Sequence, residues 1–379
     1  MTIVADTPTH VDLEVTVGID THADTHVAAV IDPLGRDLGQ ASFDTTVAGF
    51  KALLAWAAEF GTIILAGVEG TGAYGAGLAR FLTAEGVTVV EVDRPDRKTR
   101  RDQGKSDPID AYAAARAAAS GRASATPKAR TGGVESVRVL RVARTGAVRA
   151  RAKALTQLKA LITTAPDELR AQLRSLDGSR LVARCARLRP DRDEAPTPSV
   201  HAKRAPRPGR LIDPNAATKR SLASIAGRVQ LLDREIAELD DDLHALLTPL
   251  VPTLLAIMGV GLDSAGQLVV TAGDNADRIT TEAKFAHLTG VAPIPASSGK
   301  TAGKHRLNRG GDRAANAALY RIVMCRLRHD PATLAYVEKR TKEGKSKKDI
   351  IRCLKRFVAR EVYAAIQADL NPRNPQTAP

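Results

Sequence analysis

Over the first 125 residues, short apolar runs alternate with helical spacing in a regular order. EVTVGID (14–20) reads as a strand, THVAAVID (25–32) as its hairpin partner and DLGQASFDT (37–45) as a third strand. VAGFKALLAWAAEF (47–60) places its apolar residues at helical intervals, and TIILAGVEG (62–70) is a strand of the fully buried kind. A helix over 73–86, a strand over 87–93 and an alanine-rich helix over 108–119 complete the region. Three consecutive strands followed by alternating helices and strands predict a mixed sheet covered by helices.

Residues 126–208 are mostly basic helix, broken at Pro166 and Pro190 and ending in the Pro/Arg-rich linker APTPSVHAKRAPRPGR (195–210). Beyond it, Leu222, Ile225, Val229, Leu232, Ile236, Leu239, Leu243, Leu246 and Leu250 alternate at spacings of three and four over four heptads. That is the seam of a coiled coil, so this helix is expected to pair with another. Pro249 and Pro252 close it. The chain therefore divides into an α/β domain (1–125), a basic helical region with linker and coiled coil (126–250), a helix-rich domain (251–366) and a disordered tail (367–379).

Charge changes the picture more than composition does. The net charge of +14 conceals an acidic start: residues 1–93 carry 3 Lys and Arg against 13 Asp and Glu. Residues 121–190 carry 16 against 4, and residues 301–360 carry 17 against 5. Two such basic regions suit a polyanion, because each cation placed on a phosphate releases a condensed counterion. Neither has the aromatic-lined apolar face of a membrane-surface helix, no run is apolar enough to span a bilayer, and no signal peptide is evident, so no membrane role is expected. Cys185, Cys325 and Cys353 form no CxxC or Cys/His cluster, which argues against zinc and against a disulfide framework and fits a cytoplasmic protein. With aromatics at 3 %, base stacking is not expected to be the main source of affinity.

The acids carry the first chemical signal. Asp107 and Asp110 stand three apart where GKSDP turns into a helix, and capping explains them on its own: Asp107 as N-cap, Pro108 at the first helical position, Asp110 in the first turn. Yet i and i+3 share a helix face. Asp20 ends the first predicted strand and Glu69 the fourth. In an RNase H-like sheet these strands are neighbours, which gathers four carboxylates at one end. Such a cluster repels unless a divalent cation neutralises it, and oxygen ligands suit Mg2+ or Mn2+. Asp24 and Asp32 are assigned to turns, and His22 and His26 to an exposed hairpin.

The second signal is Ser297 and Ser298 in a Ser-Ser-Gly loop, followed by Lys300, Lys304, His305, Arg306, Arg309 and Arg313. An exposed serine among cations has what attack on a phosphodiester requires, since the cations stabilise the developing charge.

Together these motifs resemble the DEDD transposases of insertion-sequence family 110, which are related to the Piv-type DNA invertases. The matching stretches are GIDTHADTH, VEGTGAYG, GKSDPIDA, GVGLDSAGQLV, LTGVAPIPASSGK and RLNRGGDRAANAAL, in order over about residues 15–325. The resemblance implies a RuvC-like N-terminal domain with magnesium at Asp20, Glu69, Asp107 and Asp110. It further implies a coiled-coil linker and a C-terminal transposase domain whose serine links covalently to DNA. That serine precedes the glycine, which selects Ser298, with Ser297 the alternative. A guide RNA encoded by the element, donor and target DNA, and a homo-oligomer in a nucleoid-associated setting are the implied partners. Lys105, Lys300, Lys304, Arg306, Arg309 and Arg313 are the expected nucleic-acid contacts. One departure is Ala315-Asn316, where many members carry Leu-Arg. The alternatives are a RuvC-like endonuclease or resolvase that needs neither serine nor RNA, and a non-catalytic binding protein whose acids are caps and turns.

Overall fold

A computed structural model describes residues 13–93, 106–189, 213–296, 305–308 and 310–371. The chain forms two compact units, one built from the segment up to Glu135 together with the segment from Val251 onward, the other from Ser136–Leu250.

The N-terminal part of the first unit is a five-stranded sheet in the order β3-β2-β1-β4-β5. β1 (Glu14–Thr21) pairs antiparallel with β2 (Thr25–Ile31), which pairs antiparallel with β3 (Asp37–Asp44). β4 (Thr62–Glu69) lies parallel to β1 on its other side, and β5 (Val89–Val92) parallel to β4. This order and these directions resemble those of an RNase H-like sheet, and strands one and four are neighbours. α1 (Val47–Ala58) and α2 (Ala76–Ala84) cover one face, where Phe50, Leu53, Leu78 and Leu82 close over Val15, Val17 and Ile19.

On the other face lies α3 (Asp107–Ala119). Its close approach depends on two glycines. A Cβ at Gly18 would overlap the backbone of Ala111 and Ala115, and one at Gly67 would stand 2.8 Å from Ala114 O. Bare backbone on β1 and β4 meets an alanine face on the helix, so α3 beds directly on the sheet. The helix starts where the sequence reading put it, with one change at its end: Ser106 takes the cap position and Asp107 is the first helical residue.

The C-terminal part of the same unit is helix-rich. It comprises α8 (Pro252–Leu255), α9 (Leu262–Ala272), α10 (Glu282–Leu288), a two-stranded antiparallel ribbon of β6 (Pro293–Pro295) and β7 (His305–Leu307), α11 (Arg313–His329), α12 (Pro331–Lys342) and α13 (Lys347–Leu370). α13 runs past the expected boundary at 366 because its end is held by tertiary bonds. Asp369 accepts from the amides of Thr253 and Leu254, and Gln367 donates to Ala276 O.

A strap over residues 124–134 ties the two segments of this unit together. Asn275 accepts from Ala129 N and donates to Pro127 O, Asp274 accepts from Val134 N, and Lys128 Nζ donates to Val270 O at 2.7 Å.

In the second unit α4 (Gly133–Thr163) and α7 (Pro214–Leu250) run antiparallel, since Arg144 pairs with Asp240 while Arg151, seven residues further on, pairs with Asp233. α5 (Asp167–Leu173) and α6 (Gly178–Ala186) close one end, and Ala154, Leu158 and Ile162 pack there with Leu222, Ala226 and Val229. The start of the predicted seam is thus covered within the chain, whereas Leu232, Ile236 and Leu239 stay half-buried. Among the described residues no helix is long and apolar enough to cross a membrane.

Candidate metal centre

The site grows out of strand register. Ile19 of β1 stands beside Val68 of β4, so the next residues along the two parallel strands are Asp20 and Glu69. Both follow the residue parity of Gly18 and Gly67, which places them on the face that α3 covers. Thr21 pins the strand ends together by donating from Oγ1 to Glu69 O at 2.8 Å. The start of α3 brings Asp107 and Asp110 to this same end of the sheet. Asp20, Glu69 and Asp110 are buried, at 6 %, 8 % and 5 % exposure, at this end of the sheet, and the charges of Asp110 and Asp107 are felt at Asp20.

The residue that sequence reasoning missed is His22. Its Nε2 lies 3.2 Å from Asp20 Oδ2 and 3.4 Å from Asp107 Oδ1. Ligand atoms of Asp20, His22 and Asp107 all fall within 4.8 Å of one another, a spacing that one cation satisfies. His22 stays partly exposed, at 38 % of its side chain, but the hairpin turn curls the chain back so that the imidazole follows Asp20 over the strand end. The signal was present in the spacing, since residues 20 and 22 share a strand parity.

His26, expected at the surface with it, is fully buried on the opposite face and stacks on Phe50 with ring centroids 5.7 Å apart. Asp32 is a turn residue, accepting from the amides of Leu34 and Arg36.

Electrostatics favour a bound cation. The Asp20 carboxyl is pushed above its ordinary range first by burial; His22 opposes the rise, and the charges of Asp110 and Asp107 add to it. An acid cluster that holds its central carboxyl up in this way is short of positive charge, and a dication supplies it. The donors are carboxylate oxygens and one imidazole nitrogen, a set that fits magnesium or manganese. Asp107 does not act as the helix cap, and its carboxylate faces His22.

Comparison with known proteins agrees with this arrangement. Residues 17–166 match a sequence family described as a transposase, the DEDD type of IS110. Residues 251–338 match the transposase family IS116/IS110/IS902. The chain belongs to the IS110 family of transposases. The two matches together cover well over half of it.

Among curated IS110-type relatives, a 43.6 kDa protein of insertion element IS110 from Streptomyces coelicolor is 31 % identical over 125 residues, covering 32 % of this chain and 31 % of the relative. A 42 kDa protein of insertion element IS900 from Mycobacterium paratuberculosis is 30 % identical over 206 residues, covering 52 % and 49 %. The chain thus spans about a third and about half of the length of these relatives.

The remaining expected site residues of this IS110-family chain fall into two groups. Lys105, Ser297, Ser298, Lys300, Lys304 and Arg309 lie outside the described residues. Arg306 sits on β7 at the edge of a groove of about 770 Å3, and Arg313 opens α11 behind its cap Asp312, both exposed. Asn316, at the position where the family pattern departs, has a structural task. Its amide donates to the carbonyls of Thr289 and Gly290 and accepts from Lys355 Nζ at 2.8 Å, so it ties the turn before β6 to α13.

Proposed function

We propose that this chain is a metal-dependent DNA-cleaving recombinase whose reaction takes place at the sheet end bearing Asp20, Glu69, Asp107 and Asp110. The observation that carries the reading is the gathering of the buried Asp20, the half-exposed Asp107 and His22 within reach of one cation, in a chain of the IS110 family. Asp20 and Asp107 would hold the ion with His22, and Glu69 and Asp110 would complete its surroundings. When bound, Mg2+ or Mn2+ would supply charge stabilisation at phosphorus and an activated water or hydroxyl. The burial of Asp20 and Glu69 keeps water from competing for their oxygens, and the glycine-seated α3 fixes the distance between strand acids and helix acids.

The test is cleavage of a duplex carrying the DNA that flanks the gene. Asp20→Asn should lower the rate by about three orders of magnitude or more in Mg2+ and in Mn2+, with the fold and DNA binding kept. Unchanged cleavage by this variant would overturn the reading and favour the non-catalytic binding protein.

A finer reading is supported by the family resemblance of the Ser-Ser-Gly stretch. Ser298, or Ser297 beside it, would attack the scissile phosphorus through Oγ, form a phosphoserine ester and release the sugar oxygen, which takes up a proton. Sequence choice would come from a guide RNA encoded beside the gene, and Lys105, Lys300, Lys304, Arg306, Arg309 and Arg313 would contact nucleic acid. A homo-oligomer joined through the half-buried stretch of the α7 seam would let one copy's acids serve another's serine, and the basic middle segment (126–250) would act as the linker between catalytic and transposase domains. Ser298→Ala separates this from the unguided endonuclease or resolvase. Loss of joined products with cleavage retained marks a hydrolytic enzyme, and loss of both marks a covalent one. Sequencing the RNA that copurifies with the protein decides on the guide, a single discrete species from the flank being the result expected.

A further inference from the structure

The groove beside β7 is strongly cationic. Six of its fourteen lining residues are Arg or Lys and only one, Asp349, is acidic. Its floor holds two of the chain's few aromatics. Tyr336 of α12 and Phe357 of α13 meet edge to face with centroids 5.5 Å apart. An arginine caps each outer face: Arg340 Cζ is 5.9 Å from the Tyr336 centroid and Arg360 Cζ is 5.7 Å from that of Phe357. Phe357 nonetheless remains 42 % exposed. The run Arg340–Tyr336–Phe357–Arg360 thus offers two paired rings flanked by cations along one wall, with Arg306 and Lys345 as further cations of the lining.

That pattern selects a ligand that is anionic and aromatic at once. A solvent-exposed phenylalanine gains from a flat partner, and the surrounding guanidinium groups gain from phosphate. Two of the groove arginines pair with exchangeable acids: Arg352 holds Asp349 across a single helical turn at 2.9 Å, and Arg340 holds Glu343 three residues on, in partly exposed local pairs that contribute little, whereas Arg356 is held by the half-buried Glu282. Phosphate can displace them. Duplex DNA hides its base faces in the stack and presents only backbone here. An unpaired nucleotide presents both parts.

We propose that this groove binds unpaired nucleotides of a DNA strand, one base lying on Phe357 and the adjoining phosphates on Arg306, Lys345 and Arg352. The choice of DNA rests on the strand-cleaving function proposed above, since β6 and β7 flank the segment that contains Ser297 and Ser298 and strand opening there would free bases beside the groove. Stacking here would be a local exception to the expectation that base stacking is not the main source of affinity.

The experiment is fluorescence titration of the full-length protein in EDTA with a 2-aminopurine-labelled single strand, a duplex of the same sequence and the matching RNA. Omitting metal makes the readout independent of cleavage, so an inactive Asp20→Asn protein should bind as the parent does. The single strand should quench on binding, Phe357→Ala should bind it about tenfold more weakly, and Phe357→Trp should restore both affinity and quenching. Lys345→Ala should weaken the single strand and reduce the salt dependence without touching the quench. Circular dichroism and melting of each variant separate lost binding from lost fold. Equal loss for duplex and single strand, no loss in Phe357→Ala, or tighter binding of the RNA would each overturn the proposal.

Discussion

The acid end of the sheet and the cationic groove of the C-terminal segment hold opposite charges by opposite means. The acids are short side chains fixed by backbone: two by the register of parallel strands, two by the first turn of a helix seated on glycine. Asp20, Glu69 and Asp110 are buried while Asp107 is half-exposed, and each displacement of backbone moves them. The cations sit on long, flexible stems on two helices and a short ribbon, and Arg340 and Arg352 pair with acids they can exchange. One region therefore sets geometry and the other affinity. Substitutions in the first should act on rate and fold, and in the second on binding and its salt dependence.

The most damaging way to break the acid end without touching an acid is at Gly18. Any Cβ there overlaps the backbone of α3 at Ala111 and Ala115, so Gly18→Val must lift the helix and with it Asp107 and Asp110. The expected cost is about 3 kcal/mol of stability, at the upper end of overpacking, with cleavage lost. Urea unfolding and a cleavage assay below the transition check it. A variant with native stability and near-native rate would show that α3 is not held by this contact.

Most of that region was legible in the sequence, for a physical reason. β1 through β4 are short, apolar and bounded by turn residues, so periodicity located them within a residue or two, and the order of elements implied the neighbouring of strands one and four. His22 was only half legible: its parity with Asp20 was visible, but whether a hairpin residue points toward a site or into water depends on how the turn curls. The helical regions were less readable for a different reason. The face of α4 toward α7 is made partly of Arg144 and Arg151, which reach Asp240 and Asp233, so the partner of the leucine seam lacks an apolar pattern of its own. The groove was invisible for the same kind of cause, since its two aromatics come from separate helices and pair only in three dimensions.

Between the two regions in size of effect stands Lys128, in the strap that joins their segments. Burial pulls its ammonium down from 10.5 to about 8, with Arg278 adding to the fall and Asp312 resisting it. The folded pKa lies below the unfolded one, so between about pH 8 and 10.5 the unfolded chain holds more protons and stability contributed by this group rises with pH. Below pH 8 the folded protein carries the full cost of a buried charge, about 3 kcal/mol. Lys128→Met removes the titration but also the bond to Val270 O. Its stability should therefore rise less steeply from pH 8 to 10 than that of the parent. Parallel pH profiles of the two would sink the assignment.

The smallest of these effects is the most informative about the metal centre, because it concerns one atom. His22 Nε2 has two carboxylate neighbours, at 3.2 and 3.4 Å. A bound ion between them would take this nitrogen as a ligand. Manganese accepts imidazole more readily than magnesium does, which prefers oxygen and water. His22→Ala should accordingly weaken Mn2+ binding about tenfold while shifting the Mg2+ requirement by about twofold or less. Pulsed electron paramagnetic resonance of bound Mn2+ supplies a readout independent of activity, since a coordinated imidazole couples the electron to nitrogen and the variant should lose that coupling. Equal weakening of both metals, with no nitrogen coupling in the parent, would leave His22 only the task of orienting Asp20 and Asp107. Loss of all Mn2+ binding in Asp20→Asn with nitrogen coupling present in the parent would instead join the strand acid and the hairpin imidazole in one centre.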